Sequence, residues 1–240
     1  MKIMVVNPNT SESMTRHIRT ALMKIKRQDT ELTVVCAERG PLTIESSYDE
    51  SFAVPEALKL VKRANDEGYD AVIINAFSDP GLAAAREISD ILVMGIEETT
   101  LHVASMLGAQ FTILTPIRHR IPHKASEVRR YKLEQWLASV RTTAMKVTDV
   151  DADPGQAKTR ILEAARLAVE EDGAEVIILG CAAMVGYGDE ISRALGVTAL
   201  DPTATTLKIC EGMVDAGLVH SKRAYFARPP LKEYKGMEQG

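Results

Sequence analysis

The stretch "VIINAFSDPG" (72–81) is an apolar run that ends abruptly in turn-forming residues, and "VIILGCAAMVG" (176–186) repeats the form later in the chain. A short apolar run bounded by such residues reads as a strand buried on both faces. Aligned on these runs, Ala76 falls against Cys181, 105 positions on. Two further segments recur in the same order. "VVNPN" around Pro8 matches "ILTPI" around Pro116, 108 positions on, and Thr99-Thr100-Leu101 matches Thr205-Thr206-Leu207, 106 positions on. Repetition at a nearly constant offset predicts two homologous halves.

Outward from these stretches, strand-like runs such as "KIMVVN", "ELTVVCA", "QFTILTP" and "VTALDP" alternate with helical ones. That alternation predicts an α/β fold of parallel sheets with helices on both faces. The expected architecture is two lobes related by a pseudo-twofold, with the active site in the cleft between them. Lobe 1 covers 1–97 with a C-terminal return over about 205–225, lobe 2 covers 98–204, and 226–240 is a weakly structured tail. Ser11 or Thr10 caps the first helix. Residues 38–52 read as a polar loop, with a helix starting at Ala53. Residues 118–143 read as one long helical region, in which "RHRIPHK" (118–124) reads as a solvated start or, since it follows the Thr115-Pro116 strand end, as a segment that approaches the cleft.

Of the 240 residues, 45% are hydrophobic and 26% charged, as in ordinary globular domains. The net charge of -4 leaves no basic footprint for nucleic acid. No apolar run approaches the roughly 18 residues of a membrane span. The opening "MKIMVVNPNT" turns polar too soon for a signal peptide, so a cytoplasmic protein is expected. Three widely spaced cysteines argue against a disulfide framework, and without CxxC or HExxH no metal site is expected.

In parallel α/β sheets, ligands bind beyond the carboxyl ends of the strands. Four such ends carry polar or reactive residues: Asn7-Pro8-Asn9, Ala76-Phe77-Ser78-Asp79, Thr115-Pro116 and Gly180-Cys181-Ala182-Ala183. Two symmetric lobes place positions 76 and 181 on opposite walls of one cleft. Cys181, just past a strand, precedes backbone N–H groups that favour a thiolate; the competing role is that of a buried, inert cysteine. Cys36, inside an apolar strand, and Cys210, inside a helix, fit the inert role. Asp79 reads as the cap of the helix that follows it. The side-chain amides of Asn7 and Asn9, and the backbone N–H groups around Phe77-Ser78 and Ala182-Ala183, suit a neutral ligand rich in carbonyls. No dense cationic pocket is visible.

The opening "MKIMVVNPNTSESMT", the loop "RGPLTIESSYDE", and the stretches "AFSDPGLAAARE" and "LGCAAMVGYGDEIS" resemble the hydantoin/allantoin racemase branch of the aspartate/glutamate racemase superfamily, over nearly the whole chain. The resemblance implies a cofactor-independent homo-oligomeric isomerase that acts on a small molecule, a 5-substituted hydantoin or allantoin. It adds Ser47, within the loop, to the substrate-binding residues. It also implies two cysteines flanking the carbon that loses and regains its proton. The second maps onto Cys181 and the first onto Ala76, whose methyl group transfers no proton. Three readings of Ala76 stand open: a replacement that traps substrate, a natural one-cysteine variant, or lost catalysis. With them stand two other functions, a single-cysteine decarboxylase or isomerase of the same superfamily and a non-catalytic small-molecule binding protein.

Overall fold

A computed structural model describes residues 1–233 and 235. Two four-stranded sheets, each wholly parallel, organise the chain. The first contains β1 (Lys2–Asn7), β2 (Glu31–Cys36), β3 (Ala71–Ile74) and β4 (Leu92–Gly95) in the order β2-β1-β3-β4. The second contains β5 (Phe111–Thr115), β6 (Leu137–Thr142), β7 (Val176–Leu179) and β8 (Thr198–Leu200) in the order β6-β5-β7-β8. The register repeats as well as the order. Val6 pairs with Ile74 in the first sheet, and their repeat partners Leu114 and Leu179 pair in the second. The α/β class and the two sheets agree with the sequence reading.

Each central strand is apolar on both faces because each sheet is covered twice. In β1, Ile3 and Val5 join the large core shared by both lobes, where Met14, Ile18 and Leu22 of α1 (Glu12–Ile25) also lie. Met4 and Val6 face the other way, among residues of α2 (Ser47–Asp66) and α3 (Leu82–Ile88). The two remaining helices of the repeat are exchanged. Helix α4 (Ile96–Leu107) leaves the first sheet and packs on β7 and β8 of the second, while α9 (Pro202–Asp215) leaves the second and packs on β3 and β4 of the first. The two helices also pack on each other, and between them in the chain come α5 (Ile121–Arg130), α6 (Val147–Ala152), α7 (Pro154–Asp172) and α8 (Gly188–Leu195). Beyond α9, the chain stays on lobe 1. His220 bonds the backbone of Val93, Lys222 donates to the carbonyls of Arg86 and Glu87, and Arg228 pairs with Asp90. Residues 229–233 carry no regular secondary structure; of the expected tail, 234 and 236–240 lie outside the described residues.

Three local expectations need correction. Helix α2 begins at Ser47, not Ala53, because Ser46 Oγ accepts from Asp49 N while Asp49 Oδ2 accepts from Glu45 N. Pro55 therefore sits inside the helix rather than at its start. The region 118–143 is not one helix. Helix α5 (Ile121–Arg130) stops at a left-handed Lys132 (φ 58°), and the half-buried Leu137–Thr142 pairs with β5 as an edge strand. Apolar spacing does not separate such a strand from the helix before it. Ser11 does cap α1, accepting from Met14 N.

The third correction concerns Asp79. It does not cap α3; its oxygens accept from Glu97 N (3.0 Å) and Glu98 N (2.7 Å), at the start of α4. In the other half, Asp201 caps α9 and also accepts from Gly186 N, in the loop after β7. Each half thus ties its loop to its exchanged helix with one carboxylate, carried by the loop in lobe 1 and by the helix cap in lobe 2. Gly95 makes this possible in lobe 1. Its backbone is ordinary extended chain, yet a Cβ there would lie 2.2–2.5 Å from the Asp79 carboxylate. Gly95→Ala should therefore lose at least about 2 kcal/mol in urea unfolding, as a cap is displaced and a buried carboxyl group loses its two N–H partners. In an Asp79→Ala background the same change should cost less than about 0.5 kcal/mol.

Burial, reinforced by Glu97, pushes the Asp79 carboxyl up to about 8 against the opposing pull of its two N–H donors. The folded chain then holds a proton from about pH 4 to 8 that the unfolded chain has lost, so this group's contribution to stability falls as pH rises through that window. Asp79→Asn removes the titration. The stability of wild type relative to Asp79→Asn should be highest near pH 4 and fall until about pH 8, measured by urea midpoints across pH. A pH-independent difference would show that Asp79 ionises normally.

Candidate active site

The carboxyl ends of β1, β3, β5 and β7 open into one cleft of about 570 Å³, counting the part open to solvent. From lobe 1 it is lined by Asn9, Asn75, Ala76, Phe77 and Ser78, and from lobe 2 by Thr115, Pro116, Gly180, Cys181 and Ala182. Positions 76 and 181 thus meet at one cleft from pseudo-equivalent strand ends. Gly180 lets Cys181 turn in so closely: a Cβ at Gly180 would lie 2.7 Å from the Leu114 carbonyl oxygen and 2.6 Å from Ile113 Cγ2. Cys181 is half-buried and opens a 3₁₀ turn, Ala182–Met184, whose first N–H groups have no acceptor within the turn. Cys210 is fully buried, and burial pushes its thiol up to about 12. Cys36 is half-buried rather than fully buried as expected.

Four expected binding residues lie off the cleft wall. Asn7 is fully buried beneath it and donates to Asn9 Oδ1 (2.9 Å) and Thr15 Oγ1 (2.9 Å), which makes it a support for Asn9. Pro8 and Ala183 are buried next to wall residues. Ser47 sits at the start of α2 beside a neighbouring hollow and accepts from Arg120 (3.4 Å). Asn9 is on the wall, but its Oδ1 also accepts from Ser11 N and its Nδ2 donates to Met14 Sδ. The Ser78 N–H turns back to the Ala76 carbonyl (2.8 Å), away from any ligand role.

Asn75 was not a candidate, and it holds the clearest recognition element. Thr203 at the start of α9 donates to its Oδ1 (2.9 Å), which fixes the amide orientation. Asn75 lines the cleft in a side chain 1% exposed, and its Nδ2 has no hydrogen-bond partner among the described residues. A buried donor left unpaired is costly, and a ligand carbonyl satisfies it. Only the folded chain brings Thr203 to this position, so no local signal marks Asn75.

Arg120 and Lys124 also line the cleft and are almost fully buried, so of the two readings of "RHRIPHK" these residues follow the approach to the cleft and not the solvated start. Their charges are met by lobe 1. Arg120 pairs with Glu50, and Lys124 Nζ lies 2.9 Å from Glu97 Oε1 and 4.7 Å from the Phe77 ring centroid. His119, in the turn before α5, bonds the carbonyl of Glu45, the residue after the wall residue Ile44. Among the described residues, no group of three or more His, Cys, Asp or Glu side chains converges as a metal site, and no helix is long and apolar enough to cross a membrane.

Comparison with known proteins agrees with this arrangement. The sequence model of the Asp/Glu/Hydantoin racemase family matches residues 3–210. A hydantoin racemase of Pseudomonas sp. (strain NS671) is 39% identical over 98% of this chain and 95% of its own, and one of Paenarthrobacter aurescens is 35% identical over 98% and 100%. The solved allantoin racemase of Klebsiella pneumoniae superposes with a TM-score of 0.95 at 32% identity, covering 98% of this chain and 96% of its own. The chain therefore belongs to the Asp/Glu/Hydantoin racemase family.

Proposed function

We propose that the protein exchanges the C5 proton of a 5-substituted hydantoin or allantoin without a cofactor, with Cys181 as the single thiol acid/base. The observation that carries this reading is the convergence of positions 76 and 181 on one cleft, a thiol on one wall and a methyl on the other. The substrate class comes from the relatives, named as hydantoin and allantoin racemases. The cleft suits it: the Asn75 amide and the opening N–H groups of the Ala182 turn are donors for the carbonyls of a neutral cyclic imide.

In the proposed step, the Cys181 thiolate removes the C5 proton. The S–H bond forms, the C5–H bond breaks, and the electron pair spreads onto the neighbouring carbonyl oxygen. The same thiol then returns a proton to the same face as the pair flows back to carbon. With no acid on the Ala76 wall, exchange should outrun inversion. An enantiopure 5-substituted hydantoin in D₂O, followed by NMR and polarimetry, should gain deuterium at C5 while keeping most of its rotation. Cys181→Ser should slow the exchange by at least about 10²-fold. Ala76→Cys should bring racemisation up to the exchange rate. Failure to exchange in both wild type and Ala76→Cys would overturn the reading in favour of a binding protein.

The family likeness also leads us to infer self-association. Met106 and Leu107 at the end of α4 are 74% and 52% exposed, as an apolar contact between copies requires. Light scattering should give a multiple of 26.2 kDa; a clean species at 26.2 kDa would overturn the inference.

A further inference from the structure

Lys124 is the least expected group on the cleft wall. Its side chain is 4% exposed, yet it borders the space shared by Ala76 and Cys181. Glu97 Oε1 takes one of its three ammonium N–H bonds at 2.9 Å, and the Phe77 ring lies beneath the charge. Phe77 follows Ala76 in the chain, so the ammonium leans toward the wall that has no thiol. Glu97 is itself fully buried, and its second oxygen has no partner among the described residues.

We propose that Lys124 is a further catalytic residue, whose ammonium stabilises the negative charge that develops on a substrate carbonyl oxygen when Cys181 removes the C5 proton. The proposal rests on the reading of the cleft as a site of C5 proton exchange. In the ground state the imide oxygen is neutral and gains little from the cation. In the enolate the oxygen carries most of the charge, and a fixed donor in a water-poor site then acts at full strength. Glu97 is a positioning residue: it holds the ammonium over the wall and keeps the buried site close to neutral. Lys124 donates a hydrogen bond and passes on no proton, and the carbon proton travels only between C5 and Cys181.

The test compares Lys124→Met, Lys124→Arg and the double variant Lys124→Met/Glu97→Gln with wild type. Lys124→Met strands the buried Glu97, so its stability should drop; the double variant removes both charges and should recover most of it. Deuterium exchange at C5 should have kcat about 10²-fold lower in both Met variants, with KM within about threefold. Lys124→Arg should recover part of kcat. Barbiturate, a planar cyclic ureide whose oxygens carry a full negative charge, serves as the enolate mimic. Both Met variants should lose at least about tenfold of their barbiturate affinity while binding a neutral hydantoin as wild type does. If the well-folded double variant exchanges C5 and binds barbiturate within threefold of wild type, Lys124 is structural and the proposal falls alone. If Lys124→Met loses only hydantoins with an anionic 5-substituent and keeps full kcat on a 5-benzyl one, the cation reads the substituent and the proposal is again overturned. A wild-type chain that neither exchanges C5 nor binds barbiturate overturns the reading of the cleft and this proposal with it.

Discussion

The exchange of α4 and α9 between the two sheets is the constraint on which the cleft depends. Neither sheet covers its inner face with helices from its own half alone. Each borrows a helix from the other, and the two borrowed helices pack together along the middle of the molecule. The carboxyl ends of both sheets are therefore held toward a common space, and groups at pseudo-equivalent strand ends must face one another. The carboxylates that fasten the borrowed helices, Asp79 and Asp201, sit in the loops or caps next to the cleft. A shift in either helix is felt there directly. Thr203 of α9 orients Asn75, and Glu97 of α4 holds Lys124, so the exchanged helices also aim the wall's polar groups.

Within this symmetric frame the chemistry is asymmetric. One wall offers a thiol and an open backbone turn. The other offers a methyl, an amide whose oxygen is already occupied, and a cation over an aromatic ring. A symmetric pair of acid/bases exchanges a proton between two faces. In the exchange we propose, a thiol opposite a fixed cation instead takes a proton from one face while the charge accumulates on oxygen. The second arrangement retains the reason for two lobes, because the planar intermediate still needs contacts on both sides.

Much of this was legible in the chain. The repeat offsets marked which strand ends correspond, since strand register is fixed by short apolar runs that recur intact. Ala76, Phe77, Cys181, Thr115 and Gly180 could be placed on the cleft from strand ends alone. What stayed hidden shares one cause: partners far apart in sequence. Asp79 looked like the cap of the next helix because its true acceptor role requires a glycine sixteen residues on. Lys124 and Arg120 sit in a charged run that reads equally as a solvated start or an approach to the cleft, and only Glu97 and Glu50 from the other lobe allow their burial. Asn75 lacks any local mark. The edge strand β6 was merged with the helix before it, because half-buried strands carry weak periodicity.

The borrowed helix has a consequence for how the chain is made. A ribosome that has released the first hundred residues has supplied every strand of the first sheet, but not the helix that seals its inner face. That helix begins at Pro202, and the segment through Arg228 that clasps β4 comes later still. The second sheet, by contrast, finds its borrowed helix already synthesised. The half encoded first is thus the half completed last: α1 can cover Ile3 and Val5 early, while Ile73 of β3 and Leu92 and Met94 of β4 wait for α9. Although the sequence is written as two similar halves, neither half completes its own cover, because each needs a helix from the other.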